Sequence, residues 1–406
     1  MKILIITAVF PPEPVVSSSI SYDIATELAV NNEVTVLCPK PTRPYGADYA
    51  SNIVHENGVS YKRIQLSSFT SPKFNLLGRF RESYSMGRHC HYYIKHNYKN
   101  IDILYLNTWP LIGQYFAVRI AKKFKIPVII HIQDIYPESL IEKLPFFKGL
   151  FNSILLPVDK YIQQNVEKVI TISPSMKSML IKTRKLEEEK VEMIYNWQNE
   201  DKFLDYRKNT EIDQKRGSFT FMFLGSLNVT AAVHIIIRAF CKAELANARL
   251  VIAGNGSEKR RLIALAKTYK DSNIEFWDAP MQKVPALQEK ADVLLLNLVK
   301  GAAQFALPSK LPAYLFSEKP VIASVDEDSD TSKLILHANC GWVVPPENID
   351  RLAAAMQVAA CIASDKLRSY GKNGFNYALK NLSRRTNLQK MTSIIENAMR
   401  IKKDRT

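Results

Sequence analysis

From Phe219 onward the chain repeats one unit, a short apolar run followed by a stretch of helical pattern. "FTFMFLG", "ARLVIAG", "NIEFWD", "ADVLLLNL", "PVIASV" and "CGWVVPP" are the runs, in that order. Strands this short and this evenly apolar are buried on both faces, and strands joined through helices run parallel. The first half obeys the same rule. "KILIIT" leads through the helical "SISYDIATELAVN" to "EVTVLCP". Then come "DILYLNT", a helix from about Gly113 to Lys123, "PVIIHIQD", a helical region from about Phe146 to Val166, "KVITISP" and "VEMIYNW". The expected class is α/β, with two Rossmann-like domains facing across a cleft. The polar segment "NEDKFLDYRKNTEIDQKRG" marks the junction. The expected domains are 1–204, 205–375, and a terminal helical segment, 376–406, that packs back on the first domain.

A chain of 406 residues, 47% hydrophobic, can bury two cores of this kind. Its five cysteines, Cys38, Cys90, Cys241, Cys340 and Cys361, are scattered without a CxxC pair, and His89, His91 and His337 complete no zinc pattern with them. The expectation is a reducing, cytoplasmic setting and no metal. The opening "MKILIITAVFPPEP" reads as a first strand, since it lacks a small-residue cleavage pattern and runs straight into prolines. No apolar run approaches the 18 or so residues of a membrane span. The formal charge of +16 favours anionic partners, whether nucleic acid, phosphorylated small molecules or an acidic bilayer surface.

Parallel sheets of this kind bind ligands at the carboxyl ends of their strands. After the first strand, Ser17, Ser18 and Ser19 stand just ahead of a helix, where serines either cap it or hold an anion on its free amides. "HIQDIYPESL" gathers His131, Gln133, Asp134 and Glu138 at another strand end, where a buried histidine and a capping carboxylate are the plain alternatives. In the second half, Gly225 and Ser226, then Asn255 and Gly256, then Trp277, Asp278, Ala279 and Pro280 follow successive strands. "KGAAQFALPSKLPAYLF" sets the small residues Gly301, Ala302 and Ala303 before Pro308, Ser309 and Lys310 at a helix start, a place for a diphosphate or for a cap beside a solvated lysine. Past the next strand, Asp326, Glu327, Asp328 and Asp330 crowd ahead of a helix.

Taken in order, "MKILIITAVFPPE", "IHIQDIYPESL", "VITISPSMKSMLI", "MIYNWQNEDKF", "FLGSLN", "RLVIAGNGSEKRRL", "IEFWDAP", "ADVLLLNL", "LPSKLPAYLFSEKPVIAS" and "CGWVVPPEN" resemble the retaining glycosyltransferases of family four, which share the two-domain architecture called GT-B. More narrowly, the chain looks like the bacterial subgroup that adds sugars to lipid-linked precursors of O-antigen, capsule or exopolysaccharide. The resemblance implies transfer, with retention, of a hexose or N-acetylhexosamine from a nucleotide-sugar, a UDP-sugar in the first instance. It implies no metal and no other cofactor. Two departures stand out. The family's paired glutamates, with seven residues between them, fall here on Phe305 and Ala313, and an arginine that neutralises the diphosphate falls on Ser226.

Under this resemblance Lys310 and Ser309 take over the diphosphate, with Asp134 and then His131 orienting acceptor or sugar. The donor would lie along Ser17, Ser18, Gly225, Ser226, Asn255 and Gly256. Trp277, Asp278 and Ala279 would flank its base. Gly301, Ala302, Ala303, Gln304, Phe305, Ala306, Leu307 and Pro308, with Ala313, complete its bed. The basic and aromatic stretch "KFNLLGRFRESYSMGRHCHYYIKHNYKN" suits either an interfacial helix on an anionic membrane, at the inner face of the cytoplasmic membrane, or an ordinary packed helix. No nucleic-acid motif accompanies the charge, and the oligomeric state is open. A non-catalytic GT-B partner protein and a nucleotide-sugar epimerase are the alternative functions, the second needing an acid/base pair beside the sugar.

Overall fold

The computed structural model describes residues 1–42, 61–70, 76–107, 110–143, 148–209, 217–269, 272–302, 304 and 307–403. The chain divides into two compact units, Met1–Tyr195 with Asn387–Thr406, and Asn196–Thr386. Among the described residues the first unit holds strands β1 (Lys2–Ile6), β2 (Glu33–Pro39), β3 (Lys62–Leu66), β4 (Ile103–Asn107), β5 (Val128–Ile132), β6 (Lys168–Thr171) and β7 (Val191–Met193). They form one parallel sheet in the order β3-β2-β1-β4-β5-β6-β7. Its helices are α1 (Val16–Ala29), α2 (Leu76–Asn97), α3 (Leu111–Lys123), α4 (Glu138–Lys143), α5 (Lys148–Gln164) and α6 (Pro174–Arg184).

The second unit repeats the plan with β8 (Phe219–Leu224), β9 (Ala248–Ala253), β10 (Ile274–Trp277), β11 (Val293–Asn297), β12 (Val321–Ser324) and β13 (Gly341–Val344), parallel in the order β10-β9-β8-β11-β12-β13. Around it lie α7 (Asp201–Lys208), α8 (Val233–Ala243), α9 (Lys259–Lys267), α10 (Val284–Glu289), α11 (Lys310–Phe316), α12 (Asp330–His337), α13 (Ile349–Cys361) and α14 (Ser364–Asn381), and the long α15 (Arg384–Lys403) follows. Each unit is thus Rossmann-like, with central strands such as β5 and β11 buried at every position.

The unit boundaries differ from the expected 204/205 and 375/376. The polar segment after β7 contains α7, whose Phe203 ring lies 6.0 Å from Phe316, and whose Arg207 sits over Phe375 and pairs with Glu318. The Glu200 carboxylate accepts the Arg384 and Arg385 N–H groups at 2.7 and 3.2 Å, which carries the second unit on to Thr386. Beyond it, α15 belongs to the first unit. Asn387 donates to the Tyr195 carbonyl at 3.0 Å, Asn32 donates to Glu396 at 3.2 Å, and Leu388, Met391, Ile395 and Ala398 form a buried stripe at helical spacing.

The first unit is tied together by one buried cation. Arg184 is fully buried at the end of α6, and its five N–H groups all have partners. Nε donates to Asp159 at 2.7 Å, the two terminal nitrogens donate to the Glu138 carboxylate at 2.6 and 2.8 Å, and the remaining hydrogens go to Thr183 Oγ1 and the Tyr136 carbonyl, both at 2.9 Å. Burial pushes the Asp159 carboxyl up against the pull of Arg184, while the two carboxylates hold the guanidinium above its ordinary value although burial opposes them. This clamp joins the loop after β5 to α4, α5 and α6. Removing one member of such a network leaves a buried charge uncompensated, at a cost of about 3–5 kcal/mol. Arg184→Met is therefore expected to lower the thermal midpoint by roughly 6–20 °C, given about 2–4 °C per kcal/mol for a unit of this size. Arg184→Lys should recover little, because an ammonium cannot occupy five fixed directions. Thermal and urea unfolding of the full chain check both outcomes.

Candidate active site

β8 and β11 are the central neighbours of the second sheet, where the strand order reverses, and this switch point is where such sheets bind ligands. Their ladder pairs Val293 with Phe221 and Leu294 with Met222 and goes no further. Past that point the Tyr314 hydroxyl of α11 stands between the strands. It accepts the Leu224 N–H at 3.0 Å and donates to the Leu224 carbonyl at 2.9 Å, with the Leu295 carbonyl at 3.3 Å. One helical turn earlier, Lys310 lies across the end of β8. Its Nζ is 4.1 Å from the centroid of the Phe223 ring, and a Cβ on Gly225 would come within 3.1 Å of it. Among the described residues no carboxylate or carbonyl pairs with this ammonium. Burial lowers its pKa to about 8. A half-buried cation that has given up water for one aromatic face is stabilised by any anion that reaches it.

The loops around Lys310 are joined backbone to backbone. Gly225 N–H donates to the Ala253 carbonyl at 3.0 Å, Leu227 N–H to Asn255 at 2.8 Å, and Gly254 N–H to Trp277 at 3.0 Å. Approach this close requires glycine, since a Cβ on Gly254 would lie 2.0 Å from the Gly225 oxygen and one on Gly256 2.3 Å from the Leu227 oxygen. Across the switch point, Val299 N–H donates to Thr230, and Gly301 N–H donates to the Asp326 carboxylate at 2.6 Å. Ser226, Asn255, Gly256, Gly301, Ala302, Gln304 and Ser309 are exposed around this floor, with Leu307, Pro308 and Ala313 half-buried. Ser309 makes no capping bond, so its hydroxyl is not spent on α11. Ala303, Phe305 and Ala306 lie outside the described residues.

Several expected residues stand elsewhere. The Trp277 indole donates to Glu275, two residues back, at 2.8 Å and lies between Arg249 and Lys290. Its ring is therefore folded along the strand, away from the carboxyl end. Asp278 is exposed and pairs with Lys259 at 3.0 Å. His131 is an interior residue of β5, 1% exposed and bonded to the Tyr105 hydroxyl at 2.8 Å. Burial drives its pKa down to about 3, so it is a neutral core histidine out of reach of any acceptor. Glu138 is spent on Arg184, whereas Asp134 is exposed just past β5.

The serines also sit differently. α1 starts at Val16 with Val15 as its cap residue, so Ser17 and Ser18 lie inside the first turn instead of ahead of it. Ser17 donates to Gln133 at 2.8 Å, Gln133 to Asn107 at 2.8 Å, and Asn107 to Ser21 at 2.6 Å, with Thr7 3.1 Å from Ser21. Ser18 is buried beside this chain. The polar network across the ends of β1, β4 and β5 depends on Thr7, Ser21 and Asn107, which belong to no motif of the sequence. The available signal was a polar residue closing an apolar run, as Asn107 closes "ILYLN".

α2 is packed on one side and open on the other. Met86, Cys90 and Ile94 are buried, and a Cβ on Gly87 would lie 2.7 Å from the Phe116 ring, so α2 and α3 meet closely. The opposite face exposes Leu77, Phe80, Arg81, Tyr84, Arg88, Tyr92 and Lys95 at helical spacing. His91 at its margin is held below its ordinary pKa by burial, then by Lys95, Lys123 and Arg119. No described helix is long and apolar enough to cross a membrane.

Comparison with known proteins fits this geometry. The family model Glycosyltransferase Family 4 matches residues 19–202, and the model Glycosyl transferases group 1 matches residues 218–360. The chain is 23% identical over 263 residues to the probable glycosyltransferase WbjE of Pseudomonas aeruginosa, a match covering 62% of each protein. It is 24% identical over 245 residues to the putative colanic acid biosynthesis glycosyl transferase WcaI of Escherichia coli K12, covering 57% of this chain and 59% of that protein. It thus spans about six-tenths of the length of the curated relatives it matches. The crystal structure of Anabaena Alr3699/HepE in complex with UDP shares the fold, with a TM-score of 0.71 at 14% identity over 98% of this chain and 100% of that one. With one Rossmann-like unit matched by each of the two models, the chain belongs to glycosyltransferase family 4.

Proposed function

We propose that this protein transfers a hexosyl or N-acetylhexosaminyl group from a UDP-sugar to a lipid-linked saccharide, with retention at the anomeric carbon, during synthesis of a bacterial surface polysaccharide. The observation that carries the reading is Lys310, a half-buried ammonium with no counter-charge among the described residues, set over Gly225 at the switch point of the second sheet. A diphosphate there would supply the missing anion. Alr3699/HepE was solved with UDP, and WcaI is named for colanic acid biosynthesis, which favours this donor and product class.

In the proposed reaction the acceptor oxygen attacks the anomeric carbon on the face from which the diphosphate leaves. The bond from that carbon to the β-phosphate oxygen breaks, and the departing phosphate receives the acceptor proton, so no side-chain nucleophile is needed. Charge grows on the diphosphate as the bond opens, and a fixed cation stabilises that state more than the ground state. Lys310 supplies it, with the free Ser309 hydroxyl beside it, and the reading calls for no metal. Backbone amides and Gln304 in the segment after Gly301 take the sugar hydroxyls. Asp134 orients the acceptor, and Asp278 to Pro280 border the base in place of the Trp277 ring. With alanine at 313, the ribose falls to backbone groups or to the exposed Glu327 and Asp328. Asp326 is already bound to Gly301. The outer face of α2 brings the enzyme to the cytoplasmic membrane surface where a lipid-linked acceptor resides.

Donor binding is tested first, by thermal shift with UDP-, GDP- and TDP-sugars. A ligand present at a hundred times its dissociation constant stabilises by about 2.7 kcal/mol. Lys310→Met is expected to lower kcat by about 10²–10³-fold, the usual cost of removing a preorganised charge from a transition state. Wild-type turnover in that variant would remove the proposed mechanism. The pH dependence has a definite sign. A diphosphate binds the ammonium form, so UDP affinity is full below pH 8 and weakens as pH rises through it, by up to about tenfold per unit, while Lys310→Met is flat. For the membrane face, Arg81→Glu with Arg88→Glu should abolish sedimentation with phosphatidylglycerol vesicles at low salt. Unchanged sedimentation would mean that α2 is only a packed helix.

A further inference from the structure

The gap between β8 and β11 is filled by a side chain from the helix that also carries Lys310, and this coincidence has a mechanical content. In a parallel sheet alternate residues direct their N–H and C=O to the same neighbour. Gly225 uses its N–H on β9, through Ala253, so Leu224 faces β11. Leu224 finds no strand partner there, because pairing stops at Met222 and Leu294, and Leu295 likewise turns a carbonyl into the gap. Three buried backbone groups at the centre of the sheet would be orphaned, at the cost that buried polar groups carry when unpaired. One hydroxyl serves all three, accepting from the Leu224 N–H and sharing its single hydrogen between the Leu224 carbonyl at 2.9 Å and the Leu295 carbonyl at 3.3 Å. Tyr314 is fully buried, so no water competes for these positions.

Lys310 and Tyr314 are four residues apart and share one face of α11. The next turn is held independently, since Phe316 packs on Phe203 and Phe375. We infer that Tyr314 is a positioning residue for Lys310: its hydroxyl, inserted between the split central strands, fixes the start of α11 at the height that lays the ammonium over Phe223 and Gly225. The split ladder and the cation are then parts of one device. Strands that stayed paired to their ends would leave no socket for the tyrosine, and α11 would lose its register on β8. The functional consequence rests on the proposed role of Lys310 toward a diphosphate, but the positioning itself does not.

The test reads Lys310 directly, in the unliganded full-length protein. Lysine labelled at Cε is titrated by NMR, and the Lys310 resonance is identified by its loss in Lys310→Met. The wild-type midpoint is expected near 8. In Tyr314→Phe it is expected to move up toward the ordinary lysine range as α11 shifts and water reaches the ammonium. UDP should then bind at least several-fold more weakly. Tyr314→4-fluorophenylalanine fills the same space with no hydrogen to donate, and it keeps the measurement available if the bare ring leaves the sheet too loose to fold. It should shift the midpoint as well. Phe316→Leu, which weakens the same helix elsewhere, should lower stability and leave the Lys310 midpoint in place. The inference is overturned if the Tyr314 variants lose stability yet keep the wild-type midpoint and UDP affinity, since that is the behaviour of a merely structural residue. Failure of UDP to bind the wild-type protein would count against the proposed donor, while the Lys310 midpoint would still decide the role of Tyr314.

Discussion

Hydrogen bonding along the two parallel sheets is the constraint on which everything else here depends. A strand paired on both sides and covered on both faces has no backbone group to offer and no side chain in contact with solvent. Polar chemistry is therefore displaced to the strand ends, where pairing stops and each freed N–H and C=O must find another partner. In the first unit the strand ends carry the polar side chains Thr7, Ser17, Ser21, Asn107 and Gln133, bonded to one another from β1 across β4 to β5, with Thr7 also holding the backbone N–H and carbonyl of Val9. In the second unit the partners are the backbones of adjacent loops, zipped through Gly225, Gly254 and Gly256, together with the phenol of Tyr314. The same requirement produces a polar side-chain network in one unit and a glycine-lined floor in the other. Only the latter lets a ligand approach the backbone.

Buried charge separates the two units just as clearly. Arg184 and Lys310 both lose water, which disfavours a charged group wherever it occurs. Arg184 recovers the loss with two carboxylates, a hydroxyl and a carbonyl, so every one of its hydrogens is used inside the fold. Lys310 has the Phe223 ring and nothing ionic among the described residues, and its lowered pKa expresses that deficit. A cation with complete partners contributes to structure, while one left short of them is suited to a ligand that carries the missing charge.

The apolar runs made most of the fold legible, because a strand buried on both faces must be written in consecutive apolar residues. β4, β5, β8, β9, β11 and β12 stand where their runs predicted. β3 did not register, since an edge strand can carry "KRIQL", half of it in water, without any apolar run. The unit boundary near Asn196 was hidden for a related reason. α7 is polar overall, and its attachment depends on single residues, Phe203 and Arg207, whose partners lie more than a hundred residues away. Site residues were legible by position and not by direction. Trp277 ends its strand as expected, yet its ring turns back to Glu275, and His131 lies inside the sheet because its place in β5 keeps it there. A sequence shows which residue ends a strand. Which way its side chain turns depends on neighbours such as Arg249, Lys290 and Tyr105, brought close only by folding.

The absent carboxylate at Ala313 fits this electrostatic pattern. A glutamate there would stand three residues beyond Lys310 on the same short helix, a spacing at which opposite charges pair. It would offer the ammonium a counter-ion inside the protein and raise its pKa, and any diphosphate would then have to compete with it. Alanine leaves the Lys310 field undivided, and Tyr314 keeps α11 anchored at the next position without adding charge. Under the proposed function, a weaker grip on a ribose would be offset by a stronger pull on the phosphate end, where departing charge needs it most.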